Sequence, residues 1–437
     1  MSSSIGAGAL ASEQPVVICE DGPDRLALTL TVLGMIAAVI VHLTLNKAAQ
    51  AQLEFEPDQL YSGLVSIVKP PLYYAAHAVE IVLILAAGLA AMLTTDTRSF
   101  ERGYLGRFGL LTAAAMLMAV RGYTSSDWLS TRLVDNTGPF PFFVSVLVFV
   151  GARRSNWPAI DKLITFLAAL YSVAALLGIF ALRSLGRDEA VLNLGGYLNA
   201  LYWPATWMAL KDYPADSLAR RFRFAPILVY AVGSLFTQTR LNIVMLAGLL
   251  LMYTYLQKKR RAPQAAVWMI GIMFAVWLSL FALAFLQDSR FIQNLLHATD
   301  AFTKRLDEDT RSGQLIWFFR DVQPAELILG RGSFATWHWF PTIWSGTDVG
   351  YLSLLFYGGL PLMVMYVLTH MKPGFAVIRS KYPTWQLPAA GVVALWALRM
   401  FSSSYPYTGV DYYPVLLCVG ACISREAAVD NPWSRRR

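Results

Sequence analysis

The stretch Leu26–Leu45 reads LALTLTVLGMIAAVIVHLTL and contains no Asp, Glu, Lys or Arg. A helix needs about 20 mostly apolar residues to cross the hydrocarbon core of a bilayer, and this run has that length. Working outward from it, about twelve comparable runs succeed one another, at 26–45, 76–95, 104–120, 138–152, 160–182, 190–210, 222–237, 239–256, 265–286, 349–369, 386–401 and 412–424. The expectation is an all-α, polytopic integral membrane protein. Composition agrees, since 56% of the 437 residues are hydrophobic and only 15% charged, against about 25% charged in a soluble domain. With a mean hydropathy of +0.47 and 24 Phe, 20 Tyr and 13 Trp, the apolar surface must face lipid. Soluble enzymes and disordered scaffolds are excluded.

The net charge of +8 has a topological explanation. With the N-terminus in the cytoplasm, the inner segments hold more than half of the 36 Lys and Arg. They include Arg98, Arg102 and Arg107, then Arg153, Arg154 and Lys162, then Lys211 and Arg220 to Arg223, Lys258 to Arg261, and Arg435 to Arg437. Basic residues collect on that side by the positive-inside rule, so both termini are expected in the cytoplasm and no nucleic acid is needed as a partner. The first 25 residues carry Glu13, Glu20, Asp21 and Asp24 without a basic stretch, which reads as a short cytoplasmic tail and not a cleaved signal. Helices one to nine then occupy 26–286, a periplasmic segment 287–348, helices ten to twelve 349–424 and a basic tail 425–437. Cys19, Cys418 and Cys422 form no Cys-x-x-Cys pair and neither a disulfide framework nor a structural zinc site is expected.

Chemistry is sought where polar residues accumulate without a topological reason. Segment 287–348 is far longer than the usual 2–8-residue helix connection. From Phe291 to Asp321 it mixes apolar and charged residues at helical spacing, as amphipathic helices on a membrane surface do. Gly330 and Gly332 follow, then Trp337-His338-Trp339-Phe340 and Trp344. Arg290, Lys304, Arg305, Arg311, Arg320 and Arg331 supply cations there, and guanidinium forks match phosphate oxygens; binding to anionic headgroups is the alternative. Arg240 stands at the outer end of an apolar helix whose other end is already basic, the wrong side for an orienting charge, which makes it a functional candidate; a snorkelling anchor is its alternative. Arg399 and Arg121 raise the same question. Asp348 is placed to take a proton from an acceptor hydroxyl or to cap the helix that follows, and His338 is a substitute base or an interfacial residue. Glu54, Glu56 and Asp58, and Asp307-Glu308-Asp309, offer carboxylates to a divalent cation, but spacings this short arise by chance, so no metal is expected. Glu80, inside the second run, is a further polar candidate, with helix–helix hydrogen bonding as its alternative.

Taken together, Thr239-Arg240, the Arg311, Trp317, Gly330-Arg331-Gly332 series, and Asp348-Val349-Gly350-Tyr351-Leu352 through Gly358-Gly359 resemble the O-antigen ligase and polymerase superfamily, which includes Wzy-type polysaccharide polymerases. The likeness covers roughly 220–370. It implies a GT-C-like membrane glycosyltransferase without cofactor, working on the periplasmic face of the inner membrane by inverting, metal-independent transfer. Its donor and acceptor are undecaprenyl-diphosphate-linked oligosaccharides, and a chain-length regulator is a further partner. On this reading Arg240, Arg311, Arg320 and Arg331 bind the donor diphosphate, and Asp348, His338 and Arg311 carry catalysis. Ligases usually have His-Asn where Asp348 stands, so the likeness favours a polymerase of O-antigen or exopolysaccharide repeats over a ligase acting on lipid A core. A flippase for the same lipid-linked oligosaccharide is the alternative of another class.

Overall fold

A computed structural model describes residues 24–55, 68–96, 100–123, 138–181, 187–213, 217–237, 240–259, 310–339, 342–344, 347, 349–380, 385–401 and 409–425. They are almost entirely helical. The elements are α1 (Arg25–Phe55), α2 (Pro71–Thr94), α3 (Tyr104–Tyr123), α4 (Phe140–Ala152, with a 3-10 turn at its centre), α5 (Trp157–Ala181), α6 (Arg187–Leu210), α7 (Ala225–Thr237) and α8 (Arg240–Lys259). After them come α9 (Thr310–Asp321), α10 (Pro324–Leu329), α11 (Gly350–Tyr366), α12 (Lys372–Arg379), α13 (Leu387–Arg399) and α14 (Tyr413–Ile423). Each expected apolar run coincides with a helix except 265–286, which lies outside the described residues. Trp337–Trp339 and Thr342–Trp344 pair as a small antiparallel ribbon, a departure from the all-helical expectation at its most aromatic stretch.

Among the described residues, six helices are long and apolar enough to cross a bilayer. Their flanks expose Ile36, Val82, Leu110, Leu117, Phe166, Phe180 and Leu251, an apolar coat of a kind that marks membrane surface in a soluble-looking fold. The chain is a membrane protein. Inside, α1 packs along α2, α5 along α6, and α4 along α14. The last pair meets backbone to backbone: a Cβ on Gly151 would lie 2.8 Å from the Leu417 carbonyl carbon, and one on Gly420 would lie 2.8 Å from the Ala152 nitrogen. Small residues permit this close approach between membrane helices.

Hydrogen bonds gather one set of helix ends. Arg153 binds the Thr94 carbonyl and, at 2.7 Å, the Thr95 hydroxyl, and its ion pair with Asp24 measures 3.5 Å. Glu101 N–H donates to the Ile423 carbonyl, and the Gln386 amide donates to the Ala421 and Ser424 carbonyls at 2.7 Å. Lys211 meets Asp161 at 2.5 Å, and Lys259 donates to the Ile378 carbonyl at 2.6 Å. The segments that hold the sequence's clusters of Lys and Arg therefore lie together, at what we term the basic end.

Several elements do not run the full depth. A helix rises 1.5 Å per residue, so α4, α7 and α13, with 13 residues each, and α14, with 11, cover about 20 and 16 Å of a core about 30 Å thick. Another is α11, which breaks at Gly359, with φ +72° and ψ −173°. Its two limbs fold toward each other: the Tyr351 hydroxyl lies 3.1 Å from the Met371 sulfur and 2.9 Å from the Ala397 carbonyl, although 20 residues of straight helix would separate Tyr351 and Met371 by about 30 Å. The tip of this V meets α3 and α10 at the end opposite the basic one, whereas Gly350, its start, donates its N–H to the Met400 carbonyl at 2.9 Å, where α13 stops.

The break makes a sharp mutational test. A Cβ on Gly359 would sit 2.6 Å from the Leu329 carbonyl carbon and 2.7 Å from the Gly330 nitrogen, on a backbone that L residues rarely adopt. Gly359→Ala is expected to cost about 2 kcal/mol or more, read as a lowered Tm in detergent. Gly109→Ala, where a Cβ meets nothing within 4 Å, is expected to leave Tm unchanged or raise it slightly.

Candidate functional site

The tip of the α11 V is the first half of the site. Pro361 has no N–H to give the Tyr357 carbonyl, and the left-handed Gly359 interrupts the ladder beside it. Segment Gly330–Ser333 takes up what is left: Arg331 N–H donates to the Phe356 carbonyl at 2.7 Å, Gly332 N–H to the Tyr357 carbonyl at 2.9 Å and Ser333 N–H to the Met118 carbonyl of α3 at 3.0 Å. Both glycines have positive φ, +77° at Gly330 and +97° at Gly332, and Gly332 lies so close to Gly122 that a Cβ would approach its nitrogen to 2.5 Å. The Gly-x-Gly pattern is thus explained by backbone docking.

Arg331, held between the glycines, is bound on most sides. Its Nε and Nη2 donate to the two Glu326 oxygens at 3.0 and 2.9 Å, Nη2 also to the Asp321 carbonyl at 3.0 Å and Nη1 to the Thr336 carbonyl at 2.9 Å. The guanidinium stands 5.5 Å from the Phe356 ring centre. Glu326 accepts in addition the Gln323 N–H, closing a capping box at the start of α10. Asp321 accepts the His338 backbone N–H at 3.1 Å and faces the His338 ring at 3.4 Å. Phe318 of α9 packs edge-on against Trp337 and Phe356, tying the ribbon to the tip. Arg121 donates to the Leu329 carbonyl. It lines, with Val120, Ala325, Glu326, Leu329, Gly330 and Arg331, an open cleft of about 510 Å³.

The electrostatics follow from these contacts. Hydrogen bonding from Arg331 holds the Glu326 carboxyl below its ordinary pKa against the opposing effect of burial. At Asp321, burial raises the pKa, and the hydrogen bonds from His338 with the charge of Arg331 outweigh it, so the group also titrates below its usual value.

The structure brings Arg331 and His338 together through Asp321. His338 keeps 72% of its side chain exposed, and Arg320 lies exposed with its guanidinium 5.0 Å from the Trp317 ring centre. Arg240 opens α8 and Arg311 stands in the first turn of α9, while the side chains of both lie outside the described set. Asp348 lies outside it too, as do Arg290, Lys304, Arg305, Asp307 to Asp309, and Glu56 and Asp58. Thr347, ahead of Asp348, is buried and accepts no isolation: its hydroxyl bonds the Val349 carbonyl at 2.8 Å and its N–H the Ser353 hydroxyl at 2.9 Å, forming the start of α11.

The second half of the site lies within the bundle, at about 15–21 Å from the basic end by helical rise. Glu80 of α2 is fully buried, with its Oε2 2.7 Å from His77 Nδ1 and its Oε1 accepting the Tyr413 hydroxyl at 2.5 Å. Arg399, the last residue of α13, donates to the Asn199 side chain at 2.9 Å and lies 5.6 Å from the Trp203 ring centre. Asp411, half-buried in the turn that opens α14, is within electrostatic reach of both Arg399 and Glu80. His42 and Tyr171 meet at 3.1 Å nearby. The short helices and the V thus end where ionisable groups gather. Glu80 and Arg399 are visible in the sequence as charges in apolar runs; His77, at the i, i+3 spacing that faces Glu80, carries the same signal, whereas Asn199 and Asp411 are recognisable only once α6, α13 and α14 are side by side.

Because the Asp321 and Glu326 pKa values are depressed on folding, the stability they lend the docked loop is fully present above their unfolded pKa values near 4 and is lost as pH falls through the folded ones. Hydrogen exchange of the peptide spanning Arg331 and Gly332 is expected to stay slow from pH 7 to 5, after correction for intrinsic rates, and to quicken below about pH 4. Glu326→Gln, with a loss of about 1 kcal/mol, is expected to speed exchange there about fivefold at neutral pH. Compared with protein-family models, characterised proteins and solved structures, the chain matches none.

Proposed function

We propose that this chain is a polysaccharide polymerase of the bacterial inner membrane. It transfers undecaprenyl-diphosphate-linked glycan to the non-reducing end of a lipid-linked repeat unit, with inversion and without a metal. The observation that carries this reading is the docked Gly330-Arg331-Gly332 segment: the pattern that resembles the ligase and polymerase superfamily is built into a frame beside an open cleft, at the end opposite the basic one. On this reading the fold is GT-C-like with twelve spans, the basic end and both termini are cytoplasmic, and the framed end is periplasmic. The exposed apolar side chains Ile316, Phe319, Ile328 and Leu329 rest α9 and α10 on the outer leaflet, where a lipid-linked substrate arrives. Arg240, Arg311 and Arg320 hold the donor diphosphate and stabilise charge as it departs. Arg331, whose donors are largely committed to Glu326, Asp321 and Thr336, fixes the rim and adds positive potential. Asp348 orients or deprotonates the acceptor hydroxyl, with His338 as substitute, and a chain-length regulator is the expected protein partner.

A transporter reading has one observation in its favour. Short helices ending within the bundle beside charged groups are how secondary carriers build substrate sites, so a flippase for the same lipid-linked oligosaccharide is the second reading; a ligase differs from the polymerase only in its acceptor.

The purified protein, given one undecaprenyl-diphosphate-linked repeat in EDTA, is expected to produce a ladder of lengthening lipid-linked glycans on a gel, and Arg240→Glu or Arg311→Glu to slow it about 100-fold. Transfer only after lipid A core is added makes the protein a ligase. Lipid movement in liposomes with no transfer makes it a flippase.

A further inference from the structure

Arg399 has no part in the transfer as proposed, yet it holds a charge deep in the bundle. Gln386, directly before α13, is tied to the basic end through Ala421 and Ser424, and the 13 residues of α13 carry Arg399 about 20 Å away from that end. The residue is 8% exposed and keeps its proton at any accessible pH. A charge in such surroundings is costly unless it is paired, and an intramembrane ionisable residue marks function by default. Among the described residues its one hydrogen bond runs from Nη2 to the Asn199 side-chain oxygen at 2.9 Å, and the guanidinium stands 5.6 Å from the Trp203 ring centre. No Asp or Glu of the described residues forms an ion pair with it. An amide and an indole are both neutral.

A guanidinium has two edges, each with two parallel N–H groups. Whichever edge Asn199 engages, the other still has the geometry that grips a carboxylate or a phosphate at two points. Two further observations point to a ligand. The indole N–H of Trp203, fully buried next to Arg399, is a second donor with no acceptor among the described residues. Asn199 itself is exposed, so the place is reached from outside the packed core. Its level is fixed by α8: a Cβ on Gly248 would lie 2.9 Å from Leu398 Cδ2, and Arg240, the first residue of α8, is about 12 Å farther from the basic end. The donor diphosphate, assigned to Arg240, Arg311 and Arg320, therefore occupies another level. Gly350 donates to the Met400 carbonyl at 2.9 Å, so α11 begins beside Arg399.

We propose that Arg399, with Asn199 and Trp203, forms a carboxylate-binding subsite that holds an acidic sugar of the repeat unit. This rests on the glycosyltransferase reading and names the class of glycan, a repeat that carries a uronate. One guanidinium supplies one positive charge, which a single carboxylate matches, whereas a diphosphate brings more negative charge and has its own cations at the other level. The Asn199 amide adds N–H donors suited to sugar hydroxyls. Arg399 is a positioning residue here: it touches a remote part of the substrate and fixes the glycan relative to its reacting end.

Thermal unfolding of the full chain reconstituted in lipid, with sodium glucuronate, glucose or inorganic phosphate, tests the subsite without turnover. Glucuronate is expected to raise Tm and glucose to leave it unchanged. Arg399→Met is expected to abolish that shift while unfolding at the wild-type Tm or slightly above, because it removes a buried charge that has no counter-ion. Arg399→Lys, which keeps the charge and loses the fork, is expected to reduce the shift. In the gel assay with a uronate-containing undecaprenyl-diphosphate-linked repeat, Arg399→Met is expected to lower kcat/KM about 30-fold, mostly as a higher KM. A Tm well below wild type in Arg399→Met makes Arg399 a structural tie with a counter-ion elsewhere in the chain and overturns the subsite. So does a glucuronate shift that survives in Arg399→Met, or no shift at all. A shift that depends on Arg399 with phosphate and is missing with glucuronate gives the residue to the diphosphate and overturns the carboxylate assignment. If glucuronate binds through Arg399 but no lipid-linked repeat yields a ladder, the glycosyltransferase reading fails and the carboxylate site stands without it.

Discussion

Lipid offers a peptide group no hydrogen-bond partner, so backbone freed from a helix inside a membrane protein must find its partner in the same protein. That constraint organises the framed end. Once Gly359 and Pro361 turn α11 back on itself, the carbonyls of Phe356 and Tyr357 need donors, and Gly330–Ser333 supplies N–H groups at 2.7 and 2.9 Å. The donor strand can lie that close only because its own side chains are missing at 330 and 332. Everything charged at the rim follows: Arg331 is fixed by its neighbours' backbone, Glu326 and Asp321 are fixed by Arg331, and His338 is brought in by Asp321.

The same physics governs the interior in electrical form. Elements that stop short leave room among the long helices, and polar side chains fill the level at which they stop. Glu80 has both oxygens engaged, Arg399 lies between an amide and an indole, and the tyrosines around them present hydroxyls on otherwise apolar rings. This is a more elaborate arrangement than helix–helix adhesion requires, since a single Ser or Asn suffices for that purpose.

Much of the fold was legible in the sequence because a bilayer imposes one period and one length. Runs such as 104–120 and 190–210 name their helices within a few residues, and the clusters at Arg153, Lys211 and Lys258 name a common end. Length alone misleads where a helix is interrupted: 349–369 reads as one span, yet Gly358-Gly359 and Pro361 make it a V, and 412–424 reads as a crossing where α14 reaches about half the depth. At the site, Arg331 looks from the sequence like a hand extended toward phosphate, and the structure gives most of its donors to Glu326, Asp321 and Thr336, none adjacent to it in sequence. Asp411 and Asn199 gain meaning only from helices distant in sequence.

The contact between α4 and α14 gives the molecule a mechanical asymmetry. With Gly151 and Gly420 pressed backbone to backbone, neither helix can slide or roll without collision, and α14 begins at Tyr413, directly after the turn that holds Asp411. The floor of the interior is therefore a fixed datum. The rim, attached through a handful of loop hydrogen bonds and ion pairs, is the compliant part. Displacement of α9 and α10 would break only those loop contacts, whereas displacement of α4 against α14 would drive backbone into backbone.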